Sequence, residues 1–147
     1  MNAQYIDTLL LVEDDPHDAE LTRRALRERD PSTEVLVVGD GAEALDFLFG
    51  TGAYADRKGT GQPKLVLLDL KLPRVDGFEV LRRLKSSEET RALPVVVLTS
   101  SEQERDVTTS YELGCNSYVV KPVEFESFAR MIVAVGTYWL RSNRLPE

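Results

Sequence analysis

Four short apolar runs in this sequence each end in residues able to do chemistry. Thr8–Val12 leads into Glu13, Asp14 and Asp15; Leu65–Leu68 into Asp69; Val95–Leu98 into Thr99; and Asn116–Val120 into Lys121. Carboxylates, a hydroxyl and an ammonium together suit phosphoryl transfer. An aspartate can serve as covalent nucleophile toward phosphorus, and the rest of the work is positioning and charge neutralisation. Thr99 can donate to one phosphoryl oxygen and Lys121 can pair with another. Neighbouring acids repel one another and need a counter-charge. Because every donor on offer is oxygen, a hard divalent cation fits best. Mg²⁺ uses a few carboxylates and fills its shell with water and phosphate oxygens. With one histidine, His17, and one cysteine, Cys115, a zinc or copper site is disfavoured.

Elements must bring these groups together. Asp15 followed by Pro16 predicts a helix with Asp15 as its N-cap, running to about Arg29, with Ala19, Leu21, Ala25 and Leu26 facing a sheet. Asp15 is thus read as a cap rather than a ligand, and His17 as a solvated helix residue. Val35–Val38 predicts a second strand, and Ala42–Phe49 a second helix with Ala42, Leu45, Leu48 and Phe49 at helical spacing. Residues 50–63, rich in glycine and charge and without a period, predict a loop insertion on the sheet edge remote from the chemistry. Leu65–Leu68 reads as a strand buried on both faces. Phe78–Lys85 predicts a third helix through Phe78, Leu81 and Leu84. Glu102–Leu113 predicts a fourth, with Ser101 as its cap and Gly114 as its stop, and 125–141 an extended last helix. Strand and helix alternate five times. The expected fold is α/β, a doubly wound five-stranded parallel sheet with helices on both faces, one domain over 1–147. In the order 2-1-3-4-5 the first and third strands are neighbours at the topological switch point, so Glu13 and Asp14 converge with Asp69 there.

The formal net charge of −7 argues against nucleic acid and anionic membrane as general partners. No stretch reaches the roughly 18 apolar residues of a membrane span. The first residues lack a basic region, and their apolar run is too short for a signal peptide. A lone cysteine excludes an internal disulfide framework and suits a reducing compartment, so a cytoplasmic location is expected. Cys115 is read as a packing residue.

With these residues in place, LLLVEDD, VLLDLKLPRVDG, VVVLTSS and GCNSYVVKP resemble the receiver domain of two-component response regulators over nearly the whole chain. The resemblance implies that Asp69 is the phosphoacceptor. It implies that Glu13, Asp14, Asp69 and the backbone carbonyl of Lys71 hold Mg²⁺, that Thr99 and Lys121 act on the phosphoryl group, and that Tyr118 rotates inward on activation. It also implies a cis Lys121–Pro122 bond, and that Lys71 and Ser101 flank access to the phosphoryl group. The insertion, LDLKLPRVDGFEVLRRLK and the long last helix are similar to stand-alone response regulators of bacterial phytochromes. That likeness implies a phytochrome-type histidine kinase as donor; with no DNA-binding or enzymatic output segment after the receiver, an output by binding or phosphotransfer is expected.

Two other classes share parts of this pattern. A phosphatase of the haloacid-dehalogenase type wants a second aspartate two residues after the nucleophile, where this chain has Lys71. A flavodoxin-like module wants a hydroxyl-rich loop after the first strand, where this chain has Glu13-Asp14-Asp15. On the last helix Phe125, Phe128, Ile132, Val135 and Trp139 form one stripe, with Ala129, Val133, Gly136 and Leu140 on one flank and Met131 and Tyr138 on the other. This apolar arc is wider than one sheet face needs. It predicts a homodimer through the fourth and fifth helices and the fifth strand, because the tail Ser142–Glu147 is too short and polar to cover it. A dimeric binding module with this fold that never uses phosphorylation is the alternative function.

Overall fold

The computed structural model describes residues 5–145. The elements run β1 (Tyr5–Val12), α1 (Pro16–Arg29), β2 (Glu34–Val38), α2 (Gly41–Phe49), β3 (Gln62–Leu68), α3 (Gly77–Lys85), β4 (Val95–Thr99), α4 (Glu104–Glu112), β5 (Ser117–Val120) and α5 (Phe125–Thr137). All five strands are parallel, in the order β2-β1-β3-β4-β5. The expected fold class and strand order are therefore observed.

Side chains alternate across a strand, so each central strand feeds two cores. Leu10, Val12, Val66, Leu68, Val95 and Val97 pack with Leu45 and Leu48 of α2 and Leu81 and Leu84 of α3. Leu9, Leu11, Leu65, Leu67, Val96 and Leu98 pack with Leu26 of α1 and Phe128 and Ile132 of α5. Apolar side chains with no polar face explain why these strands read as unbroken runs. Cys115 is buried in the first core, as a packing residue.

Helix starts follow their caps. Asp15 Oδ1 accepts from the N–H groups of His17 and Asp18, Asp40 Oδ1 from Glu43 N–H, and Asp76 Oδ1 from Glu79 N–H. His17 is exposed. In α1 the inward residues are Ala19, Thr22 and Leu26, with Leu21 and Ala25 only half-buried. Thr22 is admitted because its hydroxyl donates to Asp18 O at 2.8 Å. In α2 the buried set is Gly41, Ala44, Leu45, Phe47 and Leu48, whereas Ala42 and Phe49 are half-buried. The helix starts one residue earlier than expected, and Leu45 and Leu48 are buried as expected. In α3, Val80 joins Leu81 and Leu84 inside, and Phe78 is half-buried.

Four expectations are corrected. Residues 50–63 are not all loop: Gly52–Arg57 form a 3-10 helix, and β3 begins at Gln62. Arg57 lies over the Phe47 ring and donates to Gly61 O at 3.1 Å, so charge rather than apolar period organises this segment. It packs on α2 and enters β3 at the end opposite Asp69. Pro63 is tolerated because it lies near the start of the strand. The fourth helix begins at Glu104 rather than Glu102, and Ser101 does not cap it. Ser101 Oγ instead accepts from Gln103 N–H and donates to Asp106 Oδ2. No peptide bond among the described residues is cis, so Lys121–Pro122 is trans, the form that X–Pro bonds favour by about 0.5–1 kcal/mol. Finally, the α-helical part of the last helix ends at Thr137, and Tyr138–Ser142 continue as a wider π-turn. Lys64 Nζ reaches Leu140 O at 2.8 Å there, and Arg141 pairs with Asp30. Of the expected polar tail, Pro146 and Glu147 lie outside the described residues, as do Met1–Gln4 of the expected leaderless start.

One polar clamp joins β4 to β5. Asn116 Oδ1 accepts from Val95 N–H at 2.8 Å and from Lys85 Nζ at 3.0 Å, while Lys85 also donates to Leu93 O at 2.8 Å. Asn116→Ala leaves two donors without that acceptor. The expected loss is about 2 kcal/mol, read as a lower urea midpoint at unchanged slope.

Candidate functional site

The backbone ladder runs one residue past β1, β3 and β5, and this places the site. Glu13 N–H donates to Val38 O at 3.0 Å, Asp69 N–H to Val12 O at 3.1 Å, and Lys121 N–H to Thr99 O at 2.7 Å. Residues from β1, β3, β4 and β5 are thereby held along the carboxyl-end rim of the sheet.

Lys121 is the centre of the cluster. Its Nζ lies 2.6 Å from Glu13 Oε1, 3.1 Å from Asp18 Oδ2 and 3.2 Å from Asp69 Oδ2. Asp69 and Glu13 are buried, at 8% and 4% exposure, whereas Asp14 is exposed. The other Asp69 oxygen, Oδ1, accepts from Lys71 N–H at 3.2 Å, and Glu13 Oε2 accepts from Asp15 N–H at 3.1 Å. Burial pushes the Glu13 carboxyl up to about 7, against the opposing pull of the Lys121 hydrogen bond. Burial works against charge on Lys121, but the hydrogen bond to Glu13 and the charge of Asp69 outweigh it and raise its pKa above the ordinary value.

The cation expected from sequence can be tested against this geometry. Glu13, Asp14 and Asp69 each present a carboxylate oxygen, all within 4.8 Å of one another. Three converging oxygens, two of them on buried side chains, fit a hard divalent ion. The Lys71 side chain is exposed, and with Ser101 and Asp106 it lines a hollow of ≈ 350 Å³.

Thr99 is fully buried, and its Oγ1 accepts from Ser101 N–H at 3.3 Å. Tyr118 is half-buried and donates from its hydroxyl to Ser101 O at 3.0 Å. The loop after β4 therefore links Thr99 to Tyr118 through Ser101. Asp18 is the site residue that the sequence reading missed. An acid in the first turn of a helix has an ordinary role toward the helix dipole, so its type raised no question. The available sign was its position: Asp15 at the N-cap and Pro16 at the first turn place Asp18 at the rim end of α1.

Comparison with known proteins gives these positions a context. The model of the response regulator receiver domain matches residues 9–133. Response regulator Rcp1 of Synechocystis sp. is 38% identical over 94% of this chain and 92% of its own length. The crystal structure of its Mn²⁺-bound form superposes with a TM-score of 0.87, covering 95% of this chain and 99% of that one. The phosphorylated cyanobacterial phytochrome response regulator RcpA, 37% identical, superposes at 0.88 over 95% of this chain and 98% of its own. The bacteriophytochrome response regulator AtBRR is 51% identical over 95% of this chain and 97% of its own, with a TM-score of 0.72. Among the described residues no helix is long and apolar enough to cross a membrane. A parallel sheet in the order 2-1-3-4-5, an acidic rim around one lysine, and a family match over most of the length lead to one conclusion: the chain belongs to the response regulator receiver domain family.

Proposed function

We propose that this protein is a phosphoacceptor switch that takes a phosphoryl group on Asp69 from a partner histidine kinase. The observation that carries this reading is the Asp69 carboxylate itself. It is buried at the end of β3, held by Lys121 at 3.2 Å, and grouped with Glu13 and Asp14. One Asp69 oxygen attacks phosphorus as the P–N bond of the donor phosphohistidine breaks. The electron pair leaves with the imidazole nitrogen. Lys121 supplies a fixed positive charge beside the incoming oxygens, and the Thr99 hydroxyl turns from Ser101 N–H toward one of them. Glu13, Asp14, Asp69 and the Lys71 carbonyl would hold Mg²⁺, which supplies charge neutralisation when bound. Movement of Thr99 pulls on the loop through Ser101 and so frees Tyr118 to turn inward, altering the face formed by α4, β5 and α5. The protein is consumed stoichiometrically and returned by hydrolysis of the acyl phosphate, so it signals rather than turns over external substrate.

Similarity to RcpA and AtBRR supports a bacterial phytochrome as the donor kinase, in the cytoplasm. The test is incubation with Mg²⁺ and acetyl phosphate, read by intact mass. One added phosphoryl group is expected, lost when a chelator replaces Mg²⁺. No adduct, together with failure to bind beryllofluoride, would overturn this reading and favour the binding module that never uses phosphorylation.

The reading includes a homodimer. Tyr111, Val123 and Phe125 are exposed around α4 and the start of α5, at 50%, 105% and 58%. Of the expected stripe, Phe128 and Ile132 are buried in the core and Phe125 is left outside it. Val133 is half-buried in a groove against Ala25 of α1, and cutting after Glu124 would remove the core residues Phe128, Ile132 and Leu140. A charge at Val133 or a cut after Glu124 would therefore disturb the fold and would not isolate the interface. Phe125→Glu isolates it, because its side chain lies outside both cores. The expected result is a monomer by light scattering at micromolar concentration with an unchanged far-UV circular dichroism spectrum; a dimer that persists would overturn this interface.

A further inference from the structure

Lys121 has three N–H donors, and all three have a carboxylate within reach: Glu13, Asp18 and Asp69. The three acceptors are not equivalent. Glu13 and Asp69 also belong to the group of oxygens close enough to hold a cation, and Asp18 does not. Asp69 has a second demand on it, since the proposed reaction turns this carboxylate into an acyl phosphate. Asp18 sits on the first turn of α1, behind the Asp15 cap, and its own backbone carbonyl is tied to Thr22 Oγ1 at 2.8 Å. It approaches Lys121 from the helix, whereas the other two approach from β1 and β3.

We infer that Asp18 is the positioning residue for Lys121, keeping the ammonium at the rim when Glu13 and Asp69 are engaged elsewhere. A lysine side chain is long and flexible, so a cation freed of two partners would otherwise sample solvent. Lys121 is largely buried, at 10% side-chain exposure, and Asp18 closes its outer side at 30%. Asp18 thus acts on the reaction only through Lys121. It sets how well the ammonium is aligned with the phosphoryl oxygens, and through that the rate of transfer. This inference deepens the phosphoacceptor reading of Asp69 and rests on it.

The experiment compares the parent, Asp18→Ala and Asp18→Asn. Acetyl phosphate with saturating Mg²⁺ drives phosphorylation, timed by intact mass. Asp18→Ala should be slower by roughly tenfold, the usual order for losing a residue that orients a reacting group's partner. The same pair is compared in a Lys121→Arg background, where the effect of Asp18→Ala should shrink to less than about twofold, because contacting residues are non-additive. A second readout needs no phosphoryl transfer. With saturating Mg²⁺, when Glu13 and Asp69 face the cation, the Lys121 ammonium should give an NMR signal slow to exchange with water in the parent, weakened in Asp18→Asn and lost in Asp18→Ala. The inference is overturned if the ammonium signal is unchanged in Asp18→Ala, or if Asp18→Ala phosphorylates at the parent rate. An equal slowing in the parent and in the Lys121→Arg background would also overturn it, as a purely structural effect. If the parent itself takes no phosphoryl group, the Asp69 reading fails, while the ammonium signal still decides whether Asp18 holds Lys121.

Discussion

Asp69→Asn is expected to abolish phosphorylation while leaving the fold intact. The amide is the same size and keeps an oxygen for the Lys71 N–H, so the turn after β3 has no steric reason to move. Its nitrogen and oxygen are poor nucleophiles toward phosphorus, and the negative charge that pairs with Lys121 is gone. Lys121 retains Glu13 and Asp18 as partners, so it is not left buried and unpaired. Repulsion from Glu13 and Asp14 is relieved at the same time. These opposing changes should leave stability within about 1 kcal/mol of the parent. Intact mass after acetyl phosphate and Mg²⁺ should show no adduct, and circular dichroism an unchanged melting profile. An adduct retained at the parent level would show that another side chain is the acceptor.

Gly77→Ala is expected to destabilise the fold at the edge of the site. A Cβ at Gly77 would lie 2.3 Å from Asp69 O and 2.5 Å from Leu70 Cα. Both are backbone atoms, so no side-chain rotation relieves the clash. Helix propensity alone favours alanine over glycine by about 1 kcal/mol. Overpacking against rigid neighbours costs about 1–3 kcal/mol and sometimes more, and the upper end applies where backbone meets backbone. The net expectation is destabilisation by about 2 kcal/mol in urea unfolding. Phosphorylation should also slow, because the start of α3 or the Asp69–Leu70 peptide must shift. Gly39→Ala is the control: nothing lies within 4 Å of its Cβ, and it should unfold like the parent. A stable Gly77→Ala protein with parental phosphorylation would show that the helix start gives way more easily than this contact implies.

Both variants act at one end of β3, and that end was legible before any coordinates. Leu65–Leu68 are buried, and the run stops where Asp69 meets the rim. The same holds for Val12 before Glu13 and Leu98 before Thr99. The start of α1 was legible because Asp15 makes its cap, and the start of α4 was misplaced by two residues where Gln103 makes none. Residues 50–63 gave no period because a 3-10 helix held by Arg57 to backbone carbonyls has no apolar face to repeat. The apolar arc of α5 was read as wider than one sheet face needs, and Phe125 is exposed outside the core. Periodicity shows which residues share a stripe but not where packing stops, and Phe125 lies one turn before Phe128, beyond the edge of the core.

What the sequence determined by itself was local or additive: which runs are strands, where capped helices begin, the parallel alternation, and the chemical types gathered at strand ends. Those follow from steric preference, side-chain alternation and hydrogen bonds between near neighbours. The tertiary structure alone decided which of those groups touch. Lys121 meets Asp69 across 52 residues, Asp18 across 103 and Glu13 across 108. Contacts of that range depend on how α1 lies against the sheet and how far each rim loop reaches. A difference of one helical turn would take Asp18 away from Lys121 without changing any residue's local preference, which is why Asp18 emerged only from the fold.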